Sequence, residues 1–122
     1  MNSISFQHLY SAIGYITVKV EVYSGVFSGS STFCMSNAVL KSMALQLQQL
    51  YETLSGTYQV DDYDSDDFVR FECLKHGHVQ ITGQVGGSYN NQFLNYQFET
   101  DQTALKQIIM ELQLLISKTV EA

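Results

Sequence analysis

Between Gly14 and Tyr23 the chain reads GYITVKVEVY, with Ile16, Val18, Val20 and Val22 on every second position. Successive side chains of an extended strand point to opposite faces. This spacing therefore gathers four branched aliphatics on one face and Tyr15, Thr17, Lys19, Glu21 and Tyr23 on the other. A strand with one apolar and one polar face lies against a core on one side and water on the other, as in antiparallel sheets. The neighbouring segments continue the pattern. Residues 3–10 (SISFQHLY) alternate loosely, with Ile4, Phe6 and His8 on one side, as an edge strand would. After Ser24-Gly25, the run VFSGSSTFCM is extended again, and Gly29 inside it marks a bulge or a close backbone approach.

The periodicity then changes. Leu40, Met43, Leu47, Leu50 and Leu54 are spaced three or four apart, which predicts a helix over Ala38–Leu54, capped by Ser36 or Asn37 and ended by Ser55-Gly56. Four further strands follow. TYQV runs into an acidic loop. FVRFECLK and HVQITGQV flank His76-Gly77 as a hairpin, and Gly86-Gly87-Ser88 with Asn90-Asn91 turns the chain into QFLNYQFE, which carries Leu94, Tyr96 and Phe98 on one face. Thr100 or Asp101 caps a last helix with a stripe of Leu105, Ile108, Ile109, Leu112, Leu115 and Ile116. Every connection between consecutive strands is short enough for a hairpin. The expected fold is α+β, a largely antiparallel sheet of about six strands with two helices packed on one face. No linker or repeat divides the 122 residues, so residues 1–122 read as a single domain.

Charge narrows the partners. Twelve Asp and Glu against six Lys and Arg give a formal net charge of −6, which repels a phosphate backbone and argues against nucleic acid. The same field attracts a basic protein, although it also serves solubility. No apolar run reaches the roughly 18 residues of a membrane span, no basic-then-apolar leader opens the chain, and Cys34 and Cys73 read as separate free thiols. A cytoplasmic protein without a membrane partner is expected.

Five carboxylates, Asp61, Asp62, Asp64, Asp66 and Asp67, crowd into seven residues around Tyr63 and repel one another unless something positive lies between them. A calcium loop fits poorly. Asp62, Asp64 and Asp66 alternate as in an EF-hand, but Asp67 stands where glycine is required and Glu72 comes one place too early. A protein-binding loop and a merely solvated turn remain. His76 and His78 lack a third ligand, and turn or strand-edge histidines are the simpler reading. No GxSxG elbow, no phosphate-cradling glycine run and no carboxylate pair outside the polar strand faces points to catalysis or to a cofactor. Tyr15, Tyr23, Tyr63 and Tyr89 are candidates for contact area, or for ordinary core-edge residues.

The whole layout resembles the WapI-like immunity proteins of bacterial polymorphic toxin systems and related small acidic families. The resemblance is carried by a strand leading to YSGVFSG, a helix with LQLQQLYETLSG, the central GHVQITGQ, and FLNYQFETDQTALKQIIMELQLLI. It implies a non-catalytic inhibitor that binds a cognate toxin domain in the cytoplasm and masks a basic surface. On that reading Asp61, Asp62, Tyr63, Asp64, Asp66 and Asp67 form part of the partner-binding surface. A small-ligand or divalent-metal-binding domain is the alternative, and a subunit of a homo-oligomer such as a homodimer is a third.

Overall fold

A computed structural model describes residues 2–121. Strands β1 (Asn2–Ala12), β2 (Tyr15–Ser24) and β3 (Phe27–Ser36) form a three-stranded meander in the order β1-β2-β3. Helix α1 (Asn37–Thr53) follows. Strands β4 (Thr57–Asp61), β5 (Phe68–Cys73), β6 (His78–Val85) and β7 (Leu94–Asp101) form a second meander in the order β4-β5-β6-β7, and helix α2 (Gln102–Ile116) closes the chain. Every strand pairing within both sheets is antiparallel.

The expected single sheet of about six strands is thus corrected to seven strands in two sheets. The reason lies at α1, which intervenes between β3 and β4 and carries the chain away before they can pair. The outer edge of β3 meets the loop after β4 instead, through Asp62 and Tyr63.

Ile16, Val18, Val20 and Val22 are fully buried, as their alternation requires, and Val79, Ile81, Val69, Phe71, Tyr96 and Phe98 form the matching face of the second sheet. Helix α1 packs on α2, β3 and β4, while α2 reaches β1, β6 and β7. The helix pair therefore spans both sheets over one continuous apolar core cluster. Ser36 caps α1 by accepting the Val39 N–H at 3.1 Å, and Asp101 caps α2 by accepting that of Ala104 at 3.1 Å.

Three local expectations change. Leu54 lies beyond α1 in a left-handed conformation (φ 54°), where its side chain leaves the stripe and is 41% exposed. His8 is exposed beside a register shift between His8 and Tyr10, outside the Ile4–Phe6 face. Gly29 is a close approach in an unshifted ladder. A methyl there would lie 2.9 Å from Val85 Cγ2, where β3 crosses the start of the β6–β7 turn.

Candidate functional site

The acidic loop stands between β4 and β5, and its five carboxylates divide into two groups. Asp62 is 7% exposed and Asp67 2%. A carboxylate withdrawn from water that far needs hydrogen-bond donors in place of solvent. Asp62 Oδ1 accepts the Cys34 N–H at 2.8 Å and the Asp64 N–H at 3.2 Å, and its Oδ2 accepts the Ser65 hydroxyl at 2.6 Å. Asp67 Oδ1 accepts the Gly87 N–H at 2.9 Å and Gln84 Nε2 at 3.0 Å, and its Oδ2 accepts the Gly86 N–H at 3.1 Å.

Asp66 also works inward, although it is exposed. It accepts the Ser88 N–H at 3.0 Å, Gln84 Nε2 at 2.8 Å and the Ser88 hydroxyl. The Ser88 hydroxyl, and after it the Ser88 amide, hold the Asp66 carboxyl below the usual aspartate range. Three of the five charges thus tie the loop to β3 on one side and to the turn after β6 on the other. Within the loop, the Asp62 N–H donates to the Asp67 carbonyl at 2.9 Å and brings its two ends together.

Asp61 and Asp64 face solvent with Tyr63, which is 73% exposed. Among the described residues the Asp61 carboxylate accepts only Gln59 Nε2, at 2.8 Å. The Asp64 carboxylate accepts no hydrogen bond among the described residues. The ion pairs there are Lys19–Glu21, Lys41–Glu121 and His78–Glu99, so no cation among the described residues pairs with the loop.

Tyr63 is fixed at its backbone, where its N–H donates to the Cys34 carbonyl at 3.0 Å. Its ring meets that of Tyr15 edge-to-face, with centroids 6.0 Å apart. The two tyrosines, with Met35, Val39 and Asp61, line a shallow groove that is apolar on its floor and acidic at its rim. Tyr89 is 85% exposed on the β6–β7 turn, and Tyr23 stands on the polar face of β2, near its end.

This arrangement presents charge and aromatic area. The Cys34 thiol is pushed above its ordinary range, first by burial and then by the Asp64 carboxylate, so it is protonated near neutral pH. Among the described residues no group of three or more His, Cys, Asp and Glu stands close enough to hold a metal ion, and no helix is long and apolar enough to cross a membrane. His78 Nδ1 lies 3.1 Å from Glu99 Oε1 at an exposed strand end, apart from His76 in its turn.

The sequence model of the WapI-like immunity protein family matches residues 8–119, nearly the whole chain and the whole of this loop. The chain belongs to the WapI-like immunity protein family. No curated protein and no solved structure matches it. Membership gives this WapI-like chain an immunity role in general terms.

The six sequence-predicted residues of the WapI-like chain do share one loop, with unlike tasks. The residues that the sequence reasoning left out are those that hold it: Ser65, Gln84, Gly86, Gly87 and Ser88. A signal for them existed. Two adjacent glycines after a strand offer bare amides at positive φ (99° and 74°), which suit a carboxylate, and Ser65 follows Asp62 at a turn spacing.

Proposed function

We propose that the chain is a non-catalytic immunity protein that binds and neutralises a cognate toxin domain in the bacterial cytoplasm. It meets a basic surface of that domain with Asp61, Tyr63 and Asp64, while Asp62, Asp66 and Asp67 hold the loop in shape. The observation that carries this reading is the division of the five carboxylates. Inward hydrogen bonds fix the backbone of the loop, and its remaining charges have no counter-ion among the described residues.

A loop ordered before binding loses little entropy on docking, so its contacts contribute more of their gross energy to affinity. Unneutralised charge on a chain of net −6 steers a cationic partner, with association rates that reach about 10⁸ M⁻¹s⁻¹ at low salt for strongly steered pairs. Tyr63 and Tyr15 supply rigid aromatic area beside those charges. A covered substrate-binding surface is sufficient for neutralisation and requires no chemistry from the inhibitor.

Co-expression with candidate toxin domains, sought first in the adjacent reading frames, tests the function. The expected result is restored growth of the host cell and a complex that co-elutes in size-exclusion chromatography. Killing that continues undiminished, with the two proteins eluting separately, contradicts it.

A further inference from the structure

Cys34 turns both backbone groups away from β2, its N–H to Asp62 Oδ1 and its carbonyl to the Tyr63 N–H. In an antiparallel ladder, residues alternate between exchanging both groups with the neighbouring strand and presenting both to the opposite side. The β2–β3 pairing runs without a shift from Ser24 opposite Phe27 to Tyr15 opposite Ser36. Thr32, Ser30 and Ser28 therefore present their N–H and C=O groups along the same outer edge. β3 is the last strand of its sheet, and among the described residues none of these three makes a backbone bond outside its ladder.

Open edges are templates for a further strand, and proteins commonly blunt them with Lys, Pro, bulges or a cover. β1, the other edge of this sheet, has a register shift, and the Glu111 carboxylate of α2 accepts its Phe6 N–H at 3.0 Å. β3 has none of these devices. Its sequence, FSGSSTFCMS, holds no charge and no proline, and the chain's own loop covers it only at Cys34. The uncovered stretch forms one wall of a polar groove. Ser30, Ser31 and Thr32 stand there opposite Asp64, Asp67 and Gly87.

We infer that this edge receives an extended segment of the basic protein partner, which adds to the sheet beside β3 and sets a Lys or Arg against Asp64. The main chain of the segment supplies affinity through ladder hydrogen bonds, and the acidic wall selects its charge. At Cys34 the chain itself already occupies this edge, through the Asp62 carboxylate and the Tyr63 N–H. A second copy of this chain fits worse, because pairing two β3 edges brings two uncompensated acidic loops together on molecules of net charge −6. The inference rests on the acidic loop being the docking side.

Amide hydrogen exchange of the full chain, alone and saturated with the toxin domain proposed as its partner, tests it. In the free chain the Ser28, Ser30 and Thr32 amides should exchange rapidly; in the complex they should slow at least about tenfold. Ser30→Pro, at an outward N–H that β2 does not use, should weaken the complex about tenfold while circular dichroism stays native and the salt dependence is kept. Edge amides that remain fast in the complex overturn the inference. Amides already protected in the free chain, with protection that rises with its concentration, overturn it too, in favour of self-pairing. If Asp61→Asn and Asp64→Asn weaken binding while the edge stays open to exchange, the strand falls and the loop reading stands. If the edge is protected but binding ignores salt and both Asp variants, the loop reading falls and the pairing of a Lys or Arg with Asp64 falls with it, leaving strand addition alone. A toxin domain that does not bind at all removes both.

Discussion

Asp67 Oδ1 accepts the Gly87 N–H at 2.9 Å, which seats a carboxylate from the end of one loop on the bare amides of another, twenty residues downstream. With the Gly86 N–H and Gln84 Nε2, Asp67 gathers three donors in a place nearly closed to water. Deleting the carboxylate leaves the Gly86 and Gly87 amides without an acceptor, while Gln84 Nε2 keeps Asp66. Asp67→Ala should therefore cost about 3 kcal/mol in urea unfolding, and Asp67→Asn less, since an amide retains one acceptor oxygen. A midpoint that stays at the wild-type value would contradict this role.

Asp62→Ala loosens the loop on β3 by removing the acceptor for Cys34, Asp64 and Ser65, leaving the Tyr63 N–H to the Cys34 carbonyl. Limited proteolysis should then cut between Tyr63 and Asp66 at protein concentrations where the wild type is resistant. Asp61→Asn and Asp64→Asn, whose carboxylates hold no part of this frame, should leave both the proteolysis pattern and the unfolding midpoint unchanged. Equal cleavage of all three variants would erase the division between holding and presenting carboxylates.

Gly83 and Tyr96 sit opposite each other on β6 and β7. A methyl at Gly83 would press into Tyr96 Oη and the Phe68 carbonyl, closer than real Cβ contacts come, whereas at Gly29 the first atom met is the end of a Val85 side chain. Gly83→Ala should accordingly destabilise by about 2–3 kcal/mol, and more than Gly29→Ala. The buried Tyr96 hydroxyl has no hydrogen-bond partner among the described residues. Tyr96→Phe removes a desolvated polar group at little loss of packing and should be neutral or stabilising, by up to about 1 kcal/mol, in thermal unfolding. A clear loss on Tyr96→Phe would point to a partner for that hydroxyl.

Much of this framework was legible in the sequence, and the part that was not has a common cause. The two-residue period of Ile16–Val22 and the helical stripe of Leu40–Leu50 are local patterns, and both segments fold as read. Ser36 and Asp101 are caps for an equally local reason, a side chain reaching an amide three residues on. The split into two sheets is not local. It depends on the path taken after α1, and hairpin-length connections within each meander look the same for one sheet or two. The inward turn of Asp62 and Asp67 was hidden likewise, because their donors lie on β3 and the β6–β7 turn and charge alone does not separate a buried bracket from a solvated face.

Two carboxyls displaced in opposite directions shape the acid limb of stability. Glu111 is raised, chiefly by burial, against the lowering effect of the Phe6 N–H it accepts. Its folded form binds a proton more tightly than its unfolded form. It therefore lowers stability as pH rises from the ordinary value of 4.5 through its raised folded value. Glu111→Gln retains an acceptor for Phe6 and should remove that loss, matching or exceeding wild-type stability at pH 7. Asp66 is lowered by Ser88. Its contribution is present above the ordinary 3.8 and disappears as pH falls through its lowered folded value. Ser88→Ala should shrink the acid loss in that lower window only, which urea titrations at stepped pH resolve.

The association rate between the chain and the toxin domain proposed as its partner, followed by stopped flow from about 50 to 500 mM salt, tests the central claim most directly. The wild-type rate should fall steeply with salt. Asp61→Asn with Asp64→Asn should slow association about three- to tenfold at the low-salt end and flatten the slope, whereas Tyr63→Ala should act on dissociation at an unchanged slope. A double variant with the wild-type rate and the wild-type salt slope would show that the free charges of this loop meet nothing.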